Sequence, residues 1–216
     1  MLFALGQPFA LLGLLAAFVV SLVVRAFAAH VVLRRQVGRM PLLDPRRDFD
    51  IFGAVAAVFG GTGWGRRLDD VAGRPAPPGA LLAGPLAVLV VSQLAFAGYR
   101  LAGADTLLLR AHPASTVLTG VPGEPLSQAL ASFAVGMLCF GLLALFPLPP
   151  LDGWGLLRRA VRRPGPGFQK AEHWLDGQNI GTVILLAGMI LPLSDGRPLV
   201  LILLDLLTAP FFVVWS

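Results

Sequence analysis

The stretch from Leu126 to Trp154, LSQALASFAVGMLCFGLLALFPLPPLDGW, determines the class of fold. Residues 126–148 contain no charged side chain, and a helix needs about 20 mostly apolar residues to cross the hydrocarbon core of a bilayer. The prolines near its end stop such a helix, because each lacks an amide donor and clashes with the preceding turn. The sequence therefore predicts a membrane-spanning helix that ends at a proline-rich turn, with Asp152 at the edge of the apolar zone.

Further apolar runs lie on both sides of this stretch. Four are candidates for spanning helices, at residues 9–33, 79–99, 180–193 and 198–215. Another run, residues 51–64, is rich in glycine and too short to span, so we expect a re-entrant or interfacial segment, which is tolerated at depth only inside protein. The predicted fold is an all-α polytopic membrane protein of one domain, residues 1–216, with about five transmembrane helices.

The composition agrees with this prediction and excludes other classes of protein. Of 216 residues, 56% are hydrophobic and 13% are charged, whereas soluble domains carry about 25% charged residues. These proportions exclude a soluble globular enzyme and an acidic disordered protein. A disulfide scaffold is excluded as well, because Cys139 is the only cysteine.

Arginine and lysine residues are distributed unevenly among the loops, and this predicts the orientation. Loop 34–78 carries eight of them and loop 154–179 carries five, whereas loop 100–125 carries two. The positive-inside rule places the two rich loops in the cytoplasm and the N-terminus outside. The bias toward Arg, Ala, Gly and Pro is typical of a high-GC bacterium, so we expect a bacterial plasma membrane. The net charge of +5 is explained by this topology. We therefore expect the lipid bilayer, and no nucleic acid, as the partner of these charges.

Asp152 is the first candidate functional residue. A carboxylate inside a membrane or at its edge is costly, so it marks a functional site by default. An ordinary Asp-Gly turn after a helix stop explains Asp152-Gly153 equally well. The motif alone leaves both interpretations open.

Several short motifs follow one another in a specific order along the chain. They are residues 38–45 (GRMPLLDP), residues 63–65 (GWG), Ala83-Gly84-Pro85-Leu86, and then Pro147, Pro149 and Pro150 with Leu151-Asp152-Gly153. In this order they resemble the site-2 protease family, the intramembrane zinc metalloproteases. The resemblance covers residues 25–155 and implies a site-2-protease-like membrane core.

The same resemblance implies where a zinc centre would lie. In the family one helix carries HExxH, whose histidines bind Zn²⁺ and whose glutamate is the general base, and the aspartate of the LDG motif is the third ligand. The matching positions here read Arg25-Ala26-Phe27-Ala28-Ala29, so Arg25, Ala26 and Ala29 replace both histidines and the glutamate. Asp152 is retained, and His30 is the only histidine on that helix. We therefore expect no catalytic residue, no metal and no other cofactor.

The replacement of a metal ligand by Arg25 leads to a structural hypothesis. A lone arginine at the bilayer centre costs about 2.5–3.5 kcal/mol, so it needs a partner. Asp152 faces this position in the family fold, and we expect the two side chains to pair, with a fixed cation in place of the metal. In the alternative, Arg25 reaches out to the interface and Asp152 is solvated.

These observations favour a catalytically inactive pseudoprotease that acts as a scaffold or binding subunit. Its expected partner, besides the bilayer, is a membrane-embedded protein or peptide segment. One alternative is an active intramembrane zinc metallopeptidase with rearranged ligands, for which His30, Asp152 and His173 are the candidates. The other is a structural subunit of a larger membrane complex.

Three further polar features have structural interpretations. Asp205, in the last apolar run, is expected to pair with Arg197 or to face a partner subunit. Leu175-Asp176-Gly177 repeats the LDG letters without the prolines and predicts a turn between helices. Residues 158–163 form a basic cluster that we expect to contact anionic lipid headgroups.

Overall fold

The protein is mostly helical in the part that a computed structural model describes, residues 1–37, 45–73, 75–103, 107–121, 123–192 and 196–215. These ranges contain no strand, which confirms the all-helical class. The helices are α1 (Pro8–Val37), α2 (Pro45–Asp48), α3 (Ile51–Gly60), α4 (Leu68–Ala72), α5 (Pro78–Leu101), α6 (Leu107–Ala111), α7 (Ala114–Thr119), α8 (Pro125–Ala144), α9 (Asp152–Ala160), α10 (Pro166–Glu172), α11 (Ile180–Ile190) and α12 (Leu199–Trp215). A 3-10 turn, Leu2–Gly6, precedes α1, and a π-helical turn, His173–Gly177, connects α10 to α11.

Among the described residues, three helices are long and apolar enough to cross a membrane, namely α1, α5 and α8. Helix α8 ends at Ala144 and not at 148 as predicted, because a residue that precedes a proline disfavours the helical conformation and Pro147 follows closely. The last two predicted spans are shorter helices, with 11 residues in α11 and 17 in α12. The count of five spans therefore stays a prediction, as do the orientation and the single-domain boundary.

Helix α8 packs against both α1 and α5, which also contact each other, and it is the most buried of the three. Of its most apolar stretch, 72% of the residues are buried, against 39% in α1 and in α5. Small residues allow α1 to approach it closely: a Cβ at Gly13 would lie 2.3 Å from the carbonyl oxygen of Ala129, and one at Gly136 would lie 2.8 Å from Cβ of Ala17. Small residues at helix crossings are typical of membrane bundles, where close backbone packing supplies the attraction between helices.

Helix α3 and the extended residues 62–67 form a hairpin against this bundle. The Asp50 carboxylate caps the start of α3 by accepting a hydrogen bond from the Gly53 amide at 3.0 Å. The helix ends at Gly60 and is capped by Gly61, whose φ of 79° is a left-handed conformation that glycine adopts without strain. The Arg66 amide then donates to the Asp48 carbonyl at 2.9 Å, so both ends of the hairpin lie together. This is the shape expected of a re-entrant segment, although its insertion into a membrane stays a prediction.

The C-terminal helix α12 is attached to the bundle by partly buried polar contacts. Asp205 accepts hydrogen bonds from the Ser115 amide at 2.6 Å and the Ser115 hydroxyl at 2.7 Å. Its predicted partner Arg197 is farther away, at 3.9 Å. At the end of α12, the Trp215 indole donates to the Gln93 side chain at 2.8 Å. Asp205 therefore fixes α12 to α7 within the chain.

Candidate functional site

The proline-rich turn after α8 brings the chain back to the bundle and begins α9 at Asp152. Gly153 is required for this return, since a Cβ there would lie 2.1 Å from the Leu145 carbonyl oxygen. Leu151 is buried beside it, 2% exposed. The Asp152 carboxylate is thereby fixed at one end of the bundle, which we call the Asp152 end. The turn between α8 and α9 contains Pro147, Pro149 and Pro150.

Arg25 and Asp152 form a bidentate ion pair inside the protein. The Nε of Arg25 donates to Oδ2 of Asp152 at 2.8 Å, and its Nη2 donates to Oδ1 at 2.7 Å. The two residues are only 5% and 2% exposed. Parallel contacts of this kind are among the strongest hydrogen bonds in proteins, because both groups are charged and their geometries match. The alternative in which Arg25 reaches out to an interface and Asp152 is solvated disagrees with this geometry.

The pair also connects α1 and α9 to the chain segment between α3 and α4. Arg25 Nη2 donates a further hydrogen bond to the Arg66 carbonyl at 3.0 Å, and the Leu68 amide approaches Asp152 Oδ1 at 3.5 Å. The guanidinium thus donates to the Arg66 carbonyl as well as to both oxygens of the carboxylate. The pair therefore holds together three parts of the chain that are far apart in sequence.

Two glycines of the motifs leave the space that Arg25 occupies. A Cβ at Gly84 on α5 would lie 2.8 Å from Cγ of Arg25 and 3.0 Å from its carbonyl oxygen. A Cβ at Gly65 would lie 3.0 Å from Nη1 of Arg25. Pro85 follows Gly84 inside α5 and is buried as well. The motif residues 83–86 and 63–65 are thus brought together around the Arg25 side chain.

The remaining predicted positions on α1 are also buried, and His30 is the one among them that carries a possible metal ligand. Ala26 and Ala29 are 3% and 4% exposed, and an alanine side chain has no donor atom. His30 is 1% exposed, and its Nε2 lies 3.4 Å from Oδ1 of Asp48 on α2. The sequence did not indicate this contact with Asp48, because α2 is a single short turn with no periodic pattern.

The residues at the Asp152 end do not fit a zinc ion. A catalytic zinc site needs about three protein ligands and one open position. Both oxygens of Asp152 are taken by a guanidinium, which stays protonated in proteins. Across the described ranges, no three His, Cys, Asp or Glu side chains are grouped so as to hold a metal, so His30, Asp152 and His173 are not assembled into one site.

A second polar cluster lies next to the site and is centred on Asp176. Arg67 donates to both oxygens of Asp176 at 2.8 and 2.9 Å, and Arg158 approaches it at 3.2 Å. Burial lowers the pKa of the Arg67 guanidinium, but the hydrogen bond and charge of Asp176, with those of Asp70, outweigh burial and raise it. The second LDG triplet is therefore a structural turn between helices, as its sequence indicated, and Asp176 is the residue that fixes it.

Comparison with known proteins gives one similarity. The chain is 25% identical over 197 residues to "Putative zinc metalloprotease YwhC" of Bacillus subtilis (strain 168), covering 88% of this chain and 83% of that protein. No protein-family model matches the chain, and no solved structure matches it. The similarity indicates a distant relationship to a metalloprotease-like protein, and the apolar helices agree with a membrane protein.

Proposed function

We propose that this chain is a site-2-protease-like integral membrane protein without zinc or peptidase activity, which acts as a scaffold or binding subunit. The contact of the Arg25 guanidinium with both oxygens of Asp152 is the observation that carries the proposal. In this proposal the N-terminus lies outside a bacterial plasma membrane, and loops 34–78 and 154–179 lie in the cytoplasm.

The ion pair supports inactivity for an electrostatic reason. A metal ion would have to displace a permanently charged guanidinium that is held by three hydrogen bonds, two of them to Asp152. Breaking a buried ion pair leaves an uncompensated charge and costs about 3–5 kcal/mol. Since Ala26 stands at the position of the general base, a bound water would also have no carboxylate from α1 to activate it.

In this proposal an apolar row on α1 is the surface that a membrane-embedded partner contacts. Val19, Val23 and Phe27 lie four residues apart on one side of the helix and are 56%, 46% and 48% exposed. Residues spaced by four lie on one face of a helix. Phe27 follows Arg25 by two residues, so the row reaches the depth of the ion pair on a different face of the helix. A partner helix in the bilayer would cover it and bury additional apolar surface.

A gain-of-metal experiment tests the proposal of an inactive site. The variant Arg25→His, Ala26→Glu, Ala29→His restores the family motif on α1, opposite the retained Asp152. We expect it to bind about one zinc per chain, whereas the unchanged chain binds none and cleaves no membrane-embedded reporter segment. Zinc-dependent cleavage by the unchanged chain would contradict the proposal and support the active metallopeptidase.

The partner is tested by photo-crosslinking in native membranes. A crosslinking amino acid at Val23 is expected to give one discrete protein adduct. The matched control position is Leu94 on α5, which is 65% exposed but lies away from the row. If both positions gave the same adducts, the row would be covered by lipid or by a subunit contact that is not specific to it, and the proposed partner would be contradicted.

A further inference from the structure

A basic surface projects from the hairpin that α9 and α10 form after the Asp152 site. The two helices are joined by the stacking of Phe168 on Trp154 and by the ion pair of Arg158 with Glu172 at 2.7 Å. Arg162, Arg163 and Lys170 are exposed on it. We use the name basic hairpin surface for these three residues together with Trp174.

The cations of this surface are not neutralised by the acidic residues around it. Every acidic side chain of the described part that packs against the hairpin already has an arginine partner. The pairs are Arg159–Asp69 at 2.7 Å, Arg158–Glu172 at 2.7 Å and Arg67–Asp176 at 2.8 Å, with Asp70 also on Arg67 at 3.1 Å. Within the described ranges, no carboxylate forms an ion pair with the three cations of the surface, so they present an uncompensated positive charge to an external partner.

The two aromatic residues of this region are oriented differently. Phe168 is turned inward and stacks on Trp154, with ring centroids 5.9 Å apart and planes at 13°. Trp174 is 48% exposed and comes four residues after Lys170. An exposed indole next to cations is typical of a membrane interface, where the ring lies among the headgroups and its N–H stays hydrated.

The position of the hairpin relative to the apolar helices agrees with an interface. A Cβ at Gly155 on α9 would lie 3.1 Å from the side chain of Leu81, in the first turns of α5. Helix α5 is one of the helices long enough to cross a membrane. Since α9 packs at the start of such a helix, the hairpin that follows lies near the boundary between hydrocarbon and water.

We propose that the basic hairpin surface binds the phosphate headgroups of anionic phospholipids in the leaflet at the Asp152 end. The guanidinium groups of Arg162 and Arg163 match phosphate oxygens in charge and geometry, and Trp174 enters the headgroup layer beside them. Arg158 and Arg159, which the sequence places in the same cluster, serve instead in internal ion pairs. This binding does not depend on whether the Asp152 site is active.

The test is a lipid titration of the full chain in a neutral detergent. Phosphatidylglycerol is added and the emission of Trp174 is followed as the difference from the variant Trp174→Phe. Phosphatidylcholine and inorganic phosphate are separate arms, and we expect neither to saturate the signal. Each cation near an anionic surface raises the affinity for that surface about five-fold. The half-saturating lipid concentration should therefore rise on the order of 100-fold in the triple variant Arg162→Gln, Arg163→Gln, Lys170→Gln.

Two controls separate lipid binding from a loss of structure. Arg162→Lys, Arg163→Lys, Lys170→Arg keeps the charge and should titrate much closer to the unchanged chain than the triple glutamine variant does. Arg100→Gln, at the other end of α5, should titrate like the unchanged chain. In the unchanged chain, raising the salt concentration should weaken the titration, because exposed charges are screened. Equal half-saturation in the triple glutamine variant, equal response to phosphatidylcholine, or saturation by phosphate alone would overturn the proposal. Saturation by an acidic peptide in preference to the lipid would do so as well.

Discussion

Substitution of Asp152 by leucine is expected to lower the free energy of unfolding by about 3–5 kcal/mol, because it leaves a buried charge without its partner. Arg25 is 5% exposed, and two of its three hydrogen bonds end on Asp152. After the substitution only the Arg66 carbonyl remains as an acceptor. The reverse change, Arg25→Met, leaves the Asp152 carboxylate 2% exposed without a counter-charge and should cost a similar amount.

The double variant Arg25→Met, Asp152→Leu distinguishes the pair from two independent contributions. Apolar replacement of both members of a buried ion pair is often neutral, since no charge is then left unpaired. We therefore expect the double variant to cost less than either single variant, so that the coupling energy exceeds the cost of one single variant, about 3–5 kcal/mol. The assay is reversible denaturant unfolding of the chain in detergent micelles.

Asp70→Ala is the matched control for this cycle. The Asp70 side chain is 50% exposed and pairs with Arg67 at 3.1 Å, and an exposed pair contributes about 0–1 kcal/mol. The reasoning is refuted if the costs of the two single variants simply add in the double variant, or if Asp152→Leu costs no more than Asp70→Ala. In either case the pair would be solvated.

The other predictions concern packing, the C-terminal helix and metal removal. Gly84→Ala should destabilise the chain by about 1–3 kcal/mol, since its Cβ would lie 2.8 Å from Cγ of Arg25. The control Gly79→Ala, on the same helix, meets nothing within 4 Å and should not destabilise it. Thermal unfolding compares the two variants, and equal midpoints would count against the close packing. Asp205→Ala removes two hydrogen bonds to α7 and should increase hydrogen exchange in α12. Arg197 lies 3.9 Å from Asp205 and its side chain is 57% exposed, so Arg197→Gln should leave the exchange unchanged. A larger increase of exchange in Arg197→Gln than in Asp205→Ala would show that the ion pair anchors α12. A chelator should leave the unfolding midpoint unchanged, and a lowered midpoint would reveal a structural metal.

The contact between Arg25 and Asp152 could be predicted from two features of the sequence. A membrane-embedded arginine needs an anion, and the motif order places Asp152 opposite the matching position of α1. The two side chains are in contact in the structure at 2.7 Å. Motif spacing could be used here because helices α1 and α9 are defined by strong local signals, an apolar run and a proline-rich stop.

Contacts made by short or irregular segments could not be predicted in this way. The approach of Asp48 to His30 depends on the single turn α2, and the hydrogen bonds of Asp205 depend on α7, which has six residues. Neither segment has a repeating pattern from which its position follows. The helix end at Ala144 was missed for a related reason, because hydropathy extends past the last helical residue into the proline turn.

The zinc content of the unchanged chain, purified without chelators from zinc-supplemented cells, tests the central claim most directly. The bidentate contact of Arg25 with Asp152 predicts zinc far below one ion per chain, with no change in Asp152→Ala. One tightly bound zinc per chain that is lost in Asp152→Ala would contradict the account and assign Asp152 to a metal centre.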